Sequence, residues 1–516
     1  MVEQDNLTQK QKDYAIFLPA LSGFYATYIG NERFPDKVKS IVGDRLPKAI
    51  PTMESMNWLN KQQALFPYKW SLYSAGHADM DLTKHVPRED MVRSRDKAET
   101  FMVADSGGFQ IAKGVWPGAW ADTKDKAAQK KREAVIKWQS GIADYGMTLD
   151  IPTWTYLDKK ASEACGIKSY KDAVDATLFN NEFFMEARGK DFKILNVLQG
   201  SNHTEADDWY NTMKKFCSDK YDRPFDGWGM GGQNMCDLHL VLKRLVTLIH
   251  EGLLEPGQHD WMHFLGTSKL EWATLLTDIQ RAVRKYHNKN FMITFDCASP
   301  FLATANGQIY ITTETENRKK WVYRMVPSID ELKYANDTRN FRDGVLADGI
   351  FKTFTDSPLT KSIKINDVCH YAVGDVNKVG GPKILKGEID RDKHGAPILD
   401  EEGNEQLRKR DSTSWDSFSY AIQMGHNVWS HINAVQEANR QYDNGVVPNM
   451  LVQEQFDRVM FRDVVDEIFA TNDRNEANAL IEKHSKFWME IIGTRGAIGK
   501  KTVNASTGFA NLFEEV

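Results

Sequence analysis

The stretch Phe291–Pro300, FMITFDCASP, decides the fold. An apolar, β-prone run ends there in a carboxylate, Asp296, and breaks at Ser299-Pro300. Far upstream, Phe101–Gln110 (FMVADSGGFQ) does the same: a β-prone run delivers Asp105 to a turn of two consecutive glycines. In both places an acid sits where a buried strand surfaces, which is where a parallel α/β barrel keeps its chemistry. The two aspartates are expected to face one pocket.

Six more β-prone runs extend the pattern: Tyr14–Ala20, Tyr68–Ala75, Met147–Ile151 (ended by Pro152), Lys193–Gln199, Phe225–Met230 and Trp261–Leu265. Helical periodicity separates the later ones. In Ala127–Tyr145, for instance, Ala134, Trp138 and Ile142 fall four apart on one face. Tyr170–Arg188, Ala206–Cys217, Cys236–Leu254 and Lys269–Tyr286 also read as helices. Eight βα units in about 300 residues is the size of a closed barrel. An open doubly wound sheet would alternate too, but its Gly-rich phosphate fingerprint is absent.

The expected fold class is therefore α/β, a (β/α)8 TIM barrel with insertions and a C-terminal helical appendage. The barrel is assigned to residues 1–440, with an insertion at about 310–415 where the alternation decays, and a helical extension to 441–516. Asn306–Thr313 reads as a hairpin or edge strand, and Gly374–Ser414 as a loop or inserted hairpin. Asp390, Asp392, Gly395 and Glu401 match part of a calcium-loop pattern, but flanking helices are missing and a hairpin turn is the reading taken. Ser417–Asn439 is expected to complete the barrel's outer ring, and Pro448–Ile492 to form two or three further helices.

The 516 residues are 41% hydrophobic, enough for a large core, and carry 66 Lys plus Arg against 71 Asp plus Glu, a net charge of −5. Nucleic acid remains a possible partner through a local basic stripe only. No run approaches the length that spans a bilayer, and the polar N-terminus does not read as a secretory signal. Five cysteines without a CxxC pair argue against a disulfide framework and for a reducing, cytoplasmic setting.

The expected strand ends place Asp105, Asp150, Gln199, Gly231, Gly232, Gly266 and Asp296 around one mouth. Two carboxylates facing one anomeric carbon suit glycosidic chemistry, one attacking C1′ or shielding its oxocarbenium-like charge and the other moving protons at the leaving group. A third acid, an amide and backbone N–H groups suit a purine edge, and Phe109 supplies a stacking face. Read singly, Asp105 and Asp150 are equally cap or turn residues and the glycines turn formers; the set favours function. Cys297 should face away from Asp296 by pleat alternation, as a buried core cysteine.

The ordered motifs DSGGFQ, LDIP, VLQG, GMGGQ, HFLG, FDCASP and ANGQ, over roughly residues 100 to 310, resemble the tRNA-guanine transglycosylase superfamily, a (β/α)8 barrel family. The resemblance implies Asp296 as the nucleophile of a covalent glycosyl intermediate and Asp105 as the general acid/base that escorts guanine out and a 7-deazaguanine in. It implies Asp150 on the N1 and 2-amino edge of the base, Gln199 and the Gly232 amide on O6, and Phe109 and Leu265 as a sandwich. Ser106, Gly231 and Gly266 fall within the same base-binding motifs.

Two departures stand out. The family's structural zinc needs a CxCxxC cluster and a later His; here only Cys369 and His426 resemble it, so no zinc, and no redox or nucleotide cofactor, is expected. The family's phosphate-gripping arginines after the nucleophile appear as Leu302 and Ala305. Both departures are similar to the DNA-directed, DpdA-type branch of phage and bacteria, which replaces guanine in DNA with a deazapurine such as 7-cyano-7-deazaguanine and implies base flipping. Lys124, Lys130, Lys131, Arg495, Lys500 and Lys501 are candidate phosphate contacts or, equally, a solvated helix face and a loose tail. The rival readings are an atypical enzyme acting on tRNA, a non-catalytic nucleic-acid-binding subunit and a simple glycoside hydrolase. Retention of both acids disfavours the silent subunit, and the purine-shaped set disfavours the hydrolase.

Overall fold

The structure, a computed structural model, describes residues 13–30, 46–83, 90–218, 220–369, 384–389, 396–399, 403–405, 407–409, 414–453 and 458–493. Eight parallel strands curl into a (β/α)8 barrel: β1 (Ile16–Pro19), β2 (Trp70–Ser74), β3 (Phe101–Asp105), β4 (Tyr145–Met147), β5 (Lys193–Leu198), β6 (Gly227–Met230), β7 (Trp261–Phe264) and β8 (Met292–Cys297). From β2 onward each strand pairs with the next in chain order, and β1 pairs with β8 so that Leu18 lies opposite Asp296. The remaining seam is closed by one bridge between Ala20 and Leu72, beside which the Leu21 N–H donates to the Leu72 carbonyl at 2.9 Å.

Aromatic first residues plug the floor. Trp70, Phe101, Tyr145 and Trp261 begin β2, β3, β4 and β7, and their rings meet, Phe101 stacking on Trp261 at 4.4 Å. Because successive side chains alternate, the positions above them climb the barrel interior to the opposite end, where the acids emerge. Interior packing is tight enough that strand β6 faces its neighbours with glycine. A Cβ on Gly227 would stand 2.2 Å from the Trp261 carbonyl oxygen. Gly227→Ala should therefore lower unfolding free energy by about 3 kcal/mol, the upper end of the usual cost of overpacking. A fall in the urea midpoint with unchanged slope measures it.

All eight expected strands form, with one shifted. The fourth is Tyr145–Met147, not Met147–Ile151, and the helix before it stops at Ile142 rather than Tyr145. The packing explains the shift: Gly146 lies where a Cβ would fall 2.4 Å from the Phe192 ring, so a short, glycine-centred strand passes close to the neighbouring element. Residues after Met147 have left the ladder and carry Asp150 into the mouth.

The outer ring comprises α1 (Gly23–Gly30), α2 (Lys126–Ile142), α3 (Tyr170–Ala187), α4 (His203–Met213), α5 (Leu238–His250), α6 (Leu270–Tyr286) and α7 (Ser417–Asp443). Side chains of Asp125, Ser169, Asn202, Asp237 and Asp416 cap α2, α3, α4, α5 and α7, each accepting a backbone N–H that the first turn leaves unpaired. Helix α7 occupies the place after β8 although more than a hundred residues separate them. Asn427 fastens it, accepting from Tyr310 N–H and donating to the Thr304 hydroxyl at 2.9 Å. The expected boundary at 440/441 falls inside this helix.

Between β8 and α7, the strands Gln308–Glu314 and Val322–Pro327 pair as an antiparallel hairpin, as do Ile384–Ile389 and Leu407–Lys409. Beyond α7, helices α8 (Phe461–Ala470), α9 (Arg474–Lys483) and α10 (Ser485–Gly493) pack on the ring, with Asp466 meeting Lys285 of α6 at 2.9 Å and Glu482 meeting His239 of α5 at 3.2 Å. Among the described residues, no helix is long and apolar enough to cross a membrane, and all five cysteines are buried thiols. Arg495, Lys500, Lys501 and the partial calcium pattern at Asp390, Asp392, Gly395 and Glu401 lie outside the described residues.

Candidate active site

A cavity of about 490 Å³ opens at the C-terminal ends of the strands. Asp105, Phe109, Asp150, Gln199, Gly231, Gly232, Leu265, Gly266 and Asp296 all line it. The sequence thus located the mouth, and both acids of the opening motifs face the same space. Ser106 does not: it is buried outside the cavity lining, with its hydroxyl unpartnered.

The two glycines after Asp105 explain how residues 105 and 150 converge. Gly107 has φ = 83°, a left-handed conformation that glycine adopts without penalty. A Cβ on Gly108 would come within 2.5 Å of the Asp150 carbonyl oxygen. The bare backbone therefore lets the loop after β3 lie directly on the segment that carries Asp150.

The carboxyls sit in different environments. Burial raises the pKa of Asp105, and the negative charge of Asp296 raises it further; the Ser74 hydroxyl, donating at 2.5 Å, together with the Gly107 N–H and His77, pulls the other way. Asp105 is thereby disposed to hold a proton. Burial pushes Asp150 up to about 7, against the Gln199 amide that donates to it at 2.7 Å and with help from the Asp105 charge. Asp296 instead accepts at Oδ1 from the Gly266 N–H at 3.0 Å and meets His263 Nε2 at 3.1 Å. One carboxyl biased toward the acid form beside one supplied with donors is the division of labour that acid and nucleophile require.

Phe109 and Leu265 pack against one small apolar cluster that includes Trp154, Met235 and Cys236. Trp154 lies 6.1 Å from Phe109, ring to ring. On the Asp296 side the wall is largely apolar, formed by Phe24, Phe301, Leu302, Ala305, Tyr420 and Met424. Sequence reasoning missed Ser74, His77, Trp154, Met235 and His263. Trp154 was within reach, standing four residues after Asp150; the others carried no signal beyond their place on or just after a strand.

A glutamine amide carries two N–H donors, and one of those on Gln199 is given to Asp150 at 2.7 Å, so the two side chains stand as a hydrogen-bonded pair. The base edge would meet the pair, not two separate groups.

Lys130 and Lys131 line a second cleft with Lys137, alongside Asp79, Asp81 and Glu133, so its charge is balanced. His77 lines both clefts. Lys131 lies 4.6 Å over the Trp116 ring. Lys124 is exposed and lines neither cleft, and Arg132, which closes the same basic run, is buried against Trp120 and Phe179.

The residues that resemble zinc ligands are otherwise engaged. His426 is buried, with Nε2 donating to the Tyr310 carbonyl at 2.8 Å and Nδ1 against the Thr360 hydroxyl at 3.2 Å, and burial pulls its pKa down to about 4. The Cys369 thiol donates to the Ile329 carbonyl at 3.6 Å. Among the described residues, no group of three or more His, Cys, Asp or Glu could hold a metal ion. Cys297 faces His431 of α7 at 3.6 Å, away from the cavity, and burial pushes its thiol up to about 12, which makes it a core residue and no nucleophile. No protein-family model matches this chain, and no curated protein matches it.

Proposed function

We propose that this chain is a base-exchanging transglycosylase that replaces guanine in DNA with a 7-deazaguanine. The observation that carries the reading is the triad of buried or half-buried acids in one cavity: Asp105 biased toward its protonated form, Asp296 supplied with donors, and Asp150 paired with Gln199. In the first half-reaction the Asp296 carboxylate attacks C1′ as the C1′–N9 bond breaks. The bonding pair leaves with guanine, and Asp105 supplies the proton that makes the departing base neutral. In the second, Asp105 takes the N9 proton of the incoming deazapurine, whose nitrogen attacks C1′ and returns Asp296 to a free carboxylate. Two displacements retain the configuration at the sugar.

The base is recognised by chemistry that the cavity supplies. Guanine offers donors at N1 and the 2-amino group, and an ionised Asp150 accepts both. In this reading the ring is sandwiched by Phe109 and Leu265, both of which line the cavity. DNA is favoured over tRNA by the apolar wall at Leu302 and Ala305, which gives a ribose 2′-hydroxyl no partner. Access to the pocket demands a nucleotide drawn out of the stack. Incubating radiolabelled guanine with duplex DNA, single-stranded DNA and bulk tRNA tests the reading: label should enter DNA, whereas label in tRNA alone assigns the other polymer and label in none refutes exchange.

The Asp150 environment fixes a pH dependence. Its pKa of about 7 means that the acceptor form prevails above neutrality and is lost below it. Guanine affinity should therefore fall about tenfold for each unit of pH below that value. Calorimetric titration between mildly acid and mildly alkaline buffer measures this, and in Asp150→Asn binding should be weak with that pH dependence gone.

A further inference from the structure

We infer that His263 is a positioning residue for Asp296, held by Thr294 and Trp261 so that its Nε2–H donates to Oδ1 and leaves Oδ2 as the oxygen that attacks. The inference rests on the reading of Asp296 as nucleophile and adds which oxygen reacts and what orients it.

The hydrogen bonds run as a ladder inside the barrel. Strands β7 and β8 pair with Trp261 opposite Met292 and His263 opposite Thr294, so Trp261, His263, Thr294 and Asp296 all point inward. The Trp261 indole N–H reaches the Thr294 hydroxyl at 3.1 Å, that hydroxyl lies 2.8 Å from His263 Nδ1, and His263 Nε2 lies 3.1 Å from Asp296 Oδ1.

With the ring neutral, counting protons gives the direction of each bond. An indole can only donate, so the Thr294 oxygen accepts there. An ionised carboxylate can only accept, and a neutral imidazole has a single N–H. Were that proton on Nδ1, the bare Nε2 lone pair would face a carboxylate oxygen. The proton therefore belongs on Nε2, Nδ1 accepts the Thr294 hydroxyl proton, and every link has one donor and one acceptor. The ring is wholly shielded, so no water competes for either nitrogen.

Both donors that reach the Asp296 side chain, His263 and the Gly266 N–H, fall on Oδ1. They fix the plane of the carboxylate and leave Oδ2 free toward the cavity. When the C1′–Oδ2 bond forms, Oδ1 becomes the ester carbonyl and keeps both donors. When that bond breaks in the second half-reaction, its electron pair returns to a carboxylate whose charge the same two N–H groups stabilise. No proton is transferred to His263 at any step.

The test has a spectroscopic arm and a kinetic one. In the full-length protein with 15N-labelled histidine, the His263 ring should show a protonated Nε2 and a bare Nδ1. Its signal is assigned by its loss in His263→Gln or, should that variant not fold, by its response to Asp296→Asn. Protonation at Nδ1, alone or together with Nε2, overturns the proposal, and this arm needs no activity. In the exchange assay His263→Leu should lower turnover by about tenfold to a hundredfold, the worth of one hydrogen bond to a charged group, with KM for the base unchanged. His263→Gln, whose amide reaches the same position, should recover most of the loss. Full turnover in His263→Leu, or a loss in His263→Gln as deep as in His263→Leu, overturns it. If exchange is absent altogether, the transglycosylase reading fails while the ring spectrum still decides the positioning claim.

Discussion

Asp296→Ala should lower the rate of guanine exchange about 10⁴-fold or more, the scale seen when a covalent nucleophile is removed. The side chain lies at the cavity wall, half-buried, and when its bonds to the Gly266 N–H and His263 are lost the backbone keeps its own tie, the Asp296 carbonyl that accepts from the Thr267 N–H at 2.7 Å. Truncation should therefore leave the protein folded and able to bind guanine, because the base edge is held by Asp150 and Gln199. Exchange in radiolabel assays should vanish while the calorimetric affinity for guanine persists. A simple binding module would show no difference between the variant and the parent in any assay of turnover.

The next largest effect is expected at Asp105. Replacing it with Asn removes the group that moves the proton at N9, which should cost about 10² to 10⁴-fold in turnover. The pH profile carries the sign. Burial and the Asp296 charge raise this carboxyl's pKa, so it keeps its proton to higher pH than an ordinary aspartate. As the acid for the departing base it must be protonated, so turnover falls as pH rises through its pKa. The Ser74 hydroxyl stabilises the ionised form, so Ser74→Ala should move that fall to still higher pH. A limb that stays in place in both Ser74→Ala and Asp105→Asn would belong to another group.

The strands were legible because each is a run of β-branched and aromatic residues closed by glycine, proline or an acid, and a barrel needs both signals at every strand end. The fourth was misplaced since Tyr145-Gly146-Met147 is short and follows a helix without a break in apolar pattern, while Leu149–Ile151 looks more strand-like and is loop. The seat of α7 was read correctly as outer ring, yet what fastens it, Asn427 to Thr304 and Tyr310, is a set of contacts between residues more than a hundred positions apart that no local pattern encodes.

In the site, the residues that end strands were recoverable and those that support them were not. Asp105, Asp150, Gln199 and Asp296 stand next to turn residues and announce themselves. His263 sits inside WMHFL, where a histidine between apolar neighbours reads as core until the register with β8 places it beneath Asp296. Ser74 is likewise unremarkable in WSLYS until β2 is laid beside β3, opposite Asp105. Ser106 was drawn in by its neighbours in DSGGFQ, and the turn carries it away from the cavity. Direction along a strand is a matter of register, and register is a property of pairs.

The most direct measurement is the mass of the protein quenched in denaturant while it turns over DNA in the absence of an incoming base. The account predicts a glycosyl adduct carried by the peptide spanning residues 291–300, esterified at Asp296, discharged when a 7-deazaguanine is added and absent from Asp296→Asn. An adduct on any other peptide, or exchange that proceeds with no adduct at Asp296, would contradict it.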